Sequence, residues 1–266
     1  MMKRFYYPGK KFPSISVTGD KCALSCPHCD GRFLERMVHV STPEELYEFS
    51  IELDRSGGTG FLLSGGCTTN GRVPIEKYFN VLSKINDNTQ LSINVHTGLP
   101  TRYMIEELAD VGVDTVSYDM IGSEDTIKSI YGIDATPKDY QKGYERLKEA
   151  GLDVTPHITV GLNRGELDGE FKAVELLGKP EKIVLNSLIP SDFGKRVSKK
   201  DFFSVMDQIH ESTAVILGCM RERGRDEMEI EALKRGAVGI VIPSKDTVKW
   251  AKKRFEIIEL ERCCVI

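Results

Sequence analysis

Short apolar, β-branched runs alternate with amphipathic stretches along the whole chain, and no other feature restricts the fold as strongly. The strand-like runs are "SISVTG", "GFLLSGG", "LSINVHTG", "DTVSYDMIG", "DVTPHITVGL", "KIVLNSLIP", "TAVILGC" and "GIVIPS". Between them lie helical patterns such as "STPEELYEFSIELDRSG", "VPIEKYFNVLSKIND", "TRYMIEELADVG" and "DYQKGYERLKEAG", with apolar residues at helical spacing. Thr42 is placed to cap the first of these, Pro43 to occupy its first turn and Glu45 to complete a capping box. Gly112 and Gly151 supply helix stops. A strand–helix unit repeated about eight times with short loops makes parallel strands joined by right-handed crossovers. In 266 residues this predicts an α/β fold, a closed (β/α)8 TIM-type barrel in one domain spanning 1–266, because such barrels take about 250 residues. The rival is an open doubly wound sheet, but no Gly-rich nucleotide loop follows the first predicted strand. The segment "FEIIELERCC" reads as a terminal strand whose tail folds back to the barrel.

Barrels of this kind carry their chemistry on the loops after the C-terminal ends of the strands. The chemically unusual residues fall there. Cys22, Cys26 and Cys29 follow the first predicted strand, Cys67 the second, His96 the third and Asp119 the fourth, while Cys219 ends the seventh. In "KCALSCPHCD" the spacing is C-x3-C-x2-C. Three thiols do not make a self-contained set of disulfides, and four thiolates normally close a zinc or iron–sulfur site. Either a fourth ligand comes from elsewhere, with His28 completing a structural zinc site as one option, or one metal position stays open. The start "MMKRFYYPGK" lacks the apolar core of a signal peptide, and no run reaches membrane-spanning length. These features predict a cytoplasmic protein with no membrane partner, where clustered thiols mean metal or catalysis more often than disulfides. A net charge of −4 and a pI near 5.8 leave no footprint for nucleic acid. The ending Cys263-Cys264-Val265-Ile266 has the form of a prenylation box, but the preceding "EIIELER" is acidic where a lipid anchor has basic support.

A C-x3-C-x2-C loop at the end of the first barrel strand resembles the radical S-adenosylmethionine (radical SAM) superfamily. In that family three thiolates hold three irons of a [4Fe-4S] cluster, and the fourth iron binds the amine and carboxylate of S-adenosyl-L-methionine. The resemblance implies that Cys22, Cys26 and Cys29 bind the metal, and His28 suits the position before the last cysteine. In "LSGGCTTNGRVP" the family usually has Gly-Gly-Glu. Gly65 and Gly66 then let the backbone approach the methionyl amine, while Cys67 replaces the Glu and leaves Thr68 or Thr69 to make the amine contact. In "VSYDMIGSEDT", Asp119 resembles the polar residue that holds the ribose. In "HITVGLNRGE", Ile158 and Gly161 resemble the segment that packs on adenine, and Pro190 in "SLIP" matches a sixth-strand proline of the family. Taken as residues alone, Asp119 equally caps a turn, and the segment around Ile158 is simply a buried strand.

Cys67, Cys219, Cys263 and Cys264 remain. Each taken singly behaves as a small buried hydrophobe, yet four thiolates suffice for a second [4Fe-4S] cluster. The chain is similar to biotin synthase and lipoyl synthase, whose second cluster is a sacrificed sulfur donor. Its ending "GCMRERG…AVGIVIPS…RCC" is similar to one subunit of the archaeal two-component lipoyl synthase. The resemblance implies a transferase that inserts sulfur into an octanoyl-lysyl chain, with Cys67 and Cys219 acting in catalysis and Cys67, Cys219, Cys263 and Cys264 as metal ligands. It also implies three partners: an octanoylated carrier protein, a second radical SAM subunit and an electron donor such as ferredoxin. Arg221 and Arg223 are placed to steer an acidic carrier, or form a solvated turn. Two alternatives stand beside this expectation: a radical SAM methylase or rearrangement enzyme of cofactor biosynthesis, and a non-enzymatic zinc-binding barrel.

Overall fold

Amphipathic crossovers between apolar strands build one twisted parallel sheet with its helices outside. The computed structural model describes residues 2–266. The strands are β1 (Met2–Tyr6), β2 (Ser14–Ser16), β3 (Val38–His39), β4 (Gly60–Ser64), β5 (Ser92–His96), β6 (Thr115–Asp119), β7 (Val154–Val160), β8 (Lys182–Ser187), β9 (Ala214–Leu217), β10 (Gly239–Val241) and β11 (Glu256–Leu260). The helices are α1 (Pro43–Arg55), α2 (Phe79–Asn88), α3 (Arg102–Val111), α4 (Glu124–Thr126), α5 (Pro137–Glu149), α6 (Glu170–Leu177), α7 (Lys199–Met206), α8 (Asp226–Lys234) and α9 (Lys245–Ala251). The eight runs identified in the sequence are β2 and β4 to β10, and the terminal strand is β11. Thr42 Oγ1 accepts from Glu45 N at 3.2 Å, as expected. The Glu45 carboxylate, however, reaches back to Ser41 N at 2.6 Å, one residue before the cap. Gly112 ends α3 at φ 73°, a left-handed stop.

The sheet order is β11-β1-β10-β9-β8-β7-β6-β5-β4-β2-β3, with parallel pairing throughout. The α/β barrel-type architecture expected from the sequence is present, but its circle stays open. β11 and β3 form the two edges, and no ladder joins them. The residue after β11 is tied instead to the segments that lead into β2 and β4. Thr59 Oγ1 donates to Glu261 O at 2.8 Å, and Lys11 Nζ pairs with Glu261 at 2.5 Å.

Two apolar layers hold this sheet. Outside it, Leu46, Leu53, Leu82, Ile85 and Leu108 of the helices pack with Phe61, Leu63, Ile93 and Val95 of the strands. Each such side chain stabilises the fold by about 1.5–3 kcal/mol when fully buried. Inside the curved sheet, Tyr6, Val184, Ile216 and Val241 pack on Cys264 and Val265 of the tail, so the last residues fill the lumen. Among the described residues no helix is long and apolar enough to cross a membrane.

Candidate functional site

β4 lies beside β2, so the loop after β2 meets the end of β4. The cysteine loop is fastened there by backbone groups. Ala23 N donates to Cys67 O at 2.8 Å, Cys67 N to Cys22 Sγ at 3.3 Å, and Gly66 N to Thr18 Oγ1 at 2.7 Å. A Cβ on Gly66 would stand 2.0 Å from Lys21 O and 2.7 Å from Cys22 Cα. Gly66 is therefore required by the cysteine loop itself, which occupies the space that the sequence reading left for the methionyl amine. Within the loop, Cys26 O accepts from Cys29 N at 2.9 Å and Asp30 N at 2.7 Å. That tight turn sets the second and third cysteines at its two ends. The His28 ring lies 5.5 Å from Tyr131 and 6.4 Å from Phe193, centroid to centroid. Burial, partly opposed by Asp119, lowers its pKa to about 4, so it stands neutral.

Asp119 projects from the end of β6 between two histidines supplied by the neighbouring strands. His96 Nε2 donates to Asp119 Oδ2 at 3.0 Å, and His157 is the register partner of Asp119 on β7. Burial pushes the Asp119 carboxyl up, but His96, then His157 and His28, outweigh it and hold the group below its ordinary value. Burial opposes the His96 imidazolium, yet the charge and hydrogen bond of Asp119 prevail and raise its pKa. His157 goes the other way, lowered first by burial. Its Nδ1–H donates to Thr155 O at 3.0 Å, since a carbonyl only accepts, and Nε2 is left as an acceptor. About 41% of the Asp119 side chain stays exposed, opening on a cleft lined by Tyr131, His157, Ile158 and Glu170. Ile158 forms a wall of that cleft. The N–H of Gly161 is taken by Glu170 Oε1 at 2.7 Å, in a turn at φ 72°. His157, Tyr131 and Glu170 were not singled out in the sequence. The signal for His157 was available, because polar residues alternate along one face of each strand at 94/96, 115/117/119 and 155/157.

The seven cysteines separate into two groups. Cys67 joins Cys22, Cys26 and Cys29: burial and the charges of Cys22 and Cys26 raise its thiol to about 12, with smaller contributions from Asp119 and Cys29. It does not meet Cys219, Cys263 or Cys264, as the sequence expectation required of a common ligand set. Cys263 and Cys264 lie inside the sheet, and Cys219, exposed just after β9, is near enough to Cys263 to feel its charge. The terminal pair was expected at the barrel mouth and is found in the lumen, where Asn94 Nδ2 lies 3.8 Å from Cys263 Sγ and Lys182 Nζ donates to Val265 O. The Cys264 thiol hydrogen-bonds to Cys263 and, against burial, brings it to about 7, while Cys264 is itself pushed well up. Burial first, then the charge of Cys263, raises Cys219. Arg221 is not free to meet a carrier. It is buried against Glu229 at 2.6 Å and donates to Gly218 O at 2.5 Å and Val241 O at 2.7 Å. Arg223 likewise holds Cys219 O at 2.9 Å.

The cysteine loop suits an iron–sulfur cluster. Burial, then the charges of Cys22 and Cys29, raises Cys26 to about 12. Packed thiolates of this kind become favourable only around a cationic metal centre. Among the described residues no three His, Cys, Asp or Glu side chains are grouped closely enough to hold a metal ion, and it is the chemistry of three soft thiolates on one loop that matches an iron–sulfur cluster. Beside them the buried polar atoms His28 Nδ1 and Thr68 Oγ1 have no partner, as expected where a polar ligand completes the site.

Comparison with known proteins bears on this geometry. The family model described as the Radical SAM superfamily matches residues 16–175. A biotin synthase from Nitrosopumilus maritimus (strain SCM1) is 22% identical over 242 residues, covering 85% of this chain and 73% of that protein. The crystal structure of HydG, a maturase of the [FeFe]-hydrogenase, superimposes with a TM-score of 0.63 at 20% identity, over 92% of this chain. The present chain spans 58% of HydG. Methylornithine synthase (PylB) superimposes with a TM-score of 0.62 at 13% identity, over 92% of this chain and 73% of its own. At these identities the two structures speak for the fold.

Proposed function

The chain belongs to the radical SAM superfamily, and from that premise we propose that it inserts sulfur into an unactivated carbon of an octanoyl-lysyl chain, as one subunit of a lipoyl synthase. The observation that carries this reading is the separation of the cysteines, with Cys22, Cys26 and Cys29 on the loop, Cys263 and Cys264 in the lumen, and Cys219 exposed after β9 within reach of the charge of Cys263. Cys22, Cys26 and Cys29 would hold the [4Fe-4S] cluster, and Cys219, Cys263 and Cys264 a second one. The loop cluster with bound S-adenosyl-L-methionine supplies hydrogen-atom abstraction from an unactivated carbon, chemistry that belongs to the cofactors. The chain's own residues bind and orient. Asp119, kept ionised by its histidines, accepts the ribose hydroxyls, Ile158 backs the adenine, and Thr68 takes the amine contact that Cys67 cannot make. Asn94 orients Cys263. An octanoylated carrier protein, a second radical SAM subunit and an electron donor such as ferredoxin complete the proposal.

Asp119→Asn is expected to weaken S-adenosyl-L-methionine binding by about 1.5–3 kcal/mol, the range for hydrogen bonds to a charged group. Titration calorimetry under anaerobic conditions measures it, and an unchanged dissociation constant assigns Asp119 to the His96 pair alone.

One observation favours a second reading. The lumen also carries the buried polar residues Ser117, Thr155 and Asn186, and Thr155 Oγ1 and Asn186 Oδ1 have no partner. Such a lining suits a polar substrate, as in a methylase or rearrangement enzyme of cofactor biosynthesis, better than an alkyl chain. Anaerobic iron and sulfide quantification separates the two readings. Sulfur insertion calls for about eight irons per chain, and the alternative for about four, given cubane clusters.

A further inference from the structure

Cys67 sits against the cysteine loop, its backbone bonded to two of the loop's residues. Its N–H donates to Cys22 Sγ at 3.3 Å, and its carbonyl accepts from Ala23 N at 2.8 Å. Both backbone groups are therefore fixed against the loop, and only the short side chain is left to move. That side chain is half-buried, and Cys22 Sγ accepts from the N–H of its own residue. The glycine before it admits no other residue, since Lys21 O fills the space of its Cβ. The end of β4 and the cysteine loop thus form one unit that presents four thiols.

Four thiolates are the full complement of a cubane cluster. A cluster permanently held by all four would leave no iron for S-adenosyl-L-methionine. We propose that Cys67 is a displaceable fourth ligand, capping the open corner of the loop-held cluster until S-adenosyl-L-methionine arrives and then giving way to it. One iron–sulfur bond breaks, and bonds from the amine and carboxylate form at the same iron. No electron is exchanged, and the proton that the α-ammonium gives up on coordination is matched by the one the released thiolate takes up. The backbone of Cys67 stays anchored, so the exchange is left to its side chain. The proposal rests on the family assignment and not on the sulfur-insertion reading.

The test compares the full-length chain with Cys67→Ala after anaerobic reconstitution without S-adenosyl-L-methionine. Mild oxidation expels iron from an uncapped corner, and electron paramagnetic resonance of the three-iron product follows the loss. The Ala variant is expected to lose that iron about tenfold faster, and to bind S-adenosyl-L-methionine about tenfold more tightly, if Cys67 caps about nine-tenths of the molecules. Added S-adenosyl-L-methionine should then abolish the difference in iron loss. Equal loss rates together with equal affinities overturn the proposal. Cys67→Ser, close in volume and a weaker iron ligand, gives the same comparison if the Ala variant takes up no cluster. A wild-type chain that itself takes up no cluster removes the family premise, an outcome distinct from a cluster that ignores Cys67.

Discussion

Replacing Cys22, Cys26 and Cys29 together by alanine is expected to reduce formation of 5′-deoxyadenosine under strong reductant to background, while the chain remains folded. Only one of the loop's thiols takes part in the bonds that hold it, Cys22 Sγ accepting from Cys67 N at 3.3 Å. Otherwise the loop is tied down by the Ala23–Cys67 and Gly66–Thr18 hydrogen bonds and by the turn that Cys26 O closes over Cys29 and Asp30. Of the three side chains only Cys26 is fully buried, at 8% exposure. Truncating them costs about 1 kcal/mol each, an ordinary penalty for a point substitution. A fold that buries two extended apolar layers absorbs this. Circular dichroism and a thermal melt check the fold, and chromatography of the reaction mixture checks the product. Continued cleavage of S-adenosyl-L-methionine by a folded triple variant would sink the assignment of these residues as the metal ligands.

The sequence discloses the repeat and the loop because both are local. Alternation of β-branched and amphipathic runs fixes the strands β2 and β4 to β10, and the C-x3-C-x2-C spacing lies within eight residues. β1 is hidden because "MKRFY" mixes two cations with two aromatics. Only its position between β10 and β11 makes burial of Lys3 tolerable, with Nζ on Ala237 O at 2.6 Å. Closure of the barrel is equally invisible, for it depends on whether the last strand reaches the first edge. Here it does not, and Glu261 is held by Lys11 and Thr59 instead.

The grouping of the cysteines depends on the sheet for a similar reason. Counting thiols puts Cys67 with the three remaining ones, but sheet adjacency puts it at the end of β4, beside the loop that follows β2. Cys219 follows β9 on the far side, and Cys263 and Cys264 arrive from β11. The His96–Asp119–His157 row follows from the register of β5, β6 and β7. The alternation along each strand signals these side chains, and the pairing brings them together.

The lumen thiols give the second large effect. Exchanging Cys263 and Cys264 together for alanine is expected to lower iron from about eight to about four per chain. S-adenosyl-L-methionine cleavage should continue, uncoupled from carbon–sulfur bond formation. Substitution is the right perturbation, and deletion of the tail is not. Val265 is fully buried against Tyr6, Val184, Ile216 and Val241, and its carbonyl accepts from Lys182. Removing it forfeits about 1.5–3 kcal/mol of apolar burial and leaves the Lys182 ammonium without that acceptor, so loss of activity would report an opened lumen as readily as a lost ligand. The two alanines keep that plug. With an octanoyl-lysine peptide, the partner subunit and reductant, the intact chain should yield thiolated peptide by mass spectrometry, and the double variant none. The two readouts must move together, because inserted sulfur has to come from bound sulfide, and a chain with only the loop cluster has no donor to consume. Thiolation undiminished in the variant excludes Cys263 and Cys264 from the donor site. Iron near four per chain before and after exchange transfers the assignment to a methylase or rearrangement enzyme, with the terminal cysteines as packing for the lumen floor.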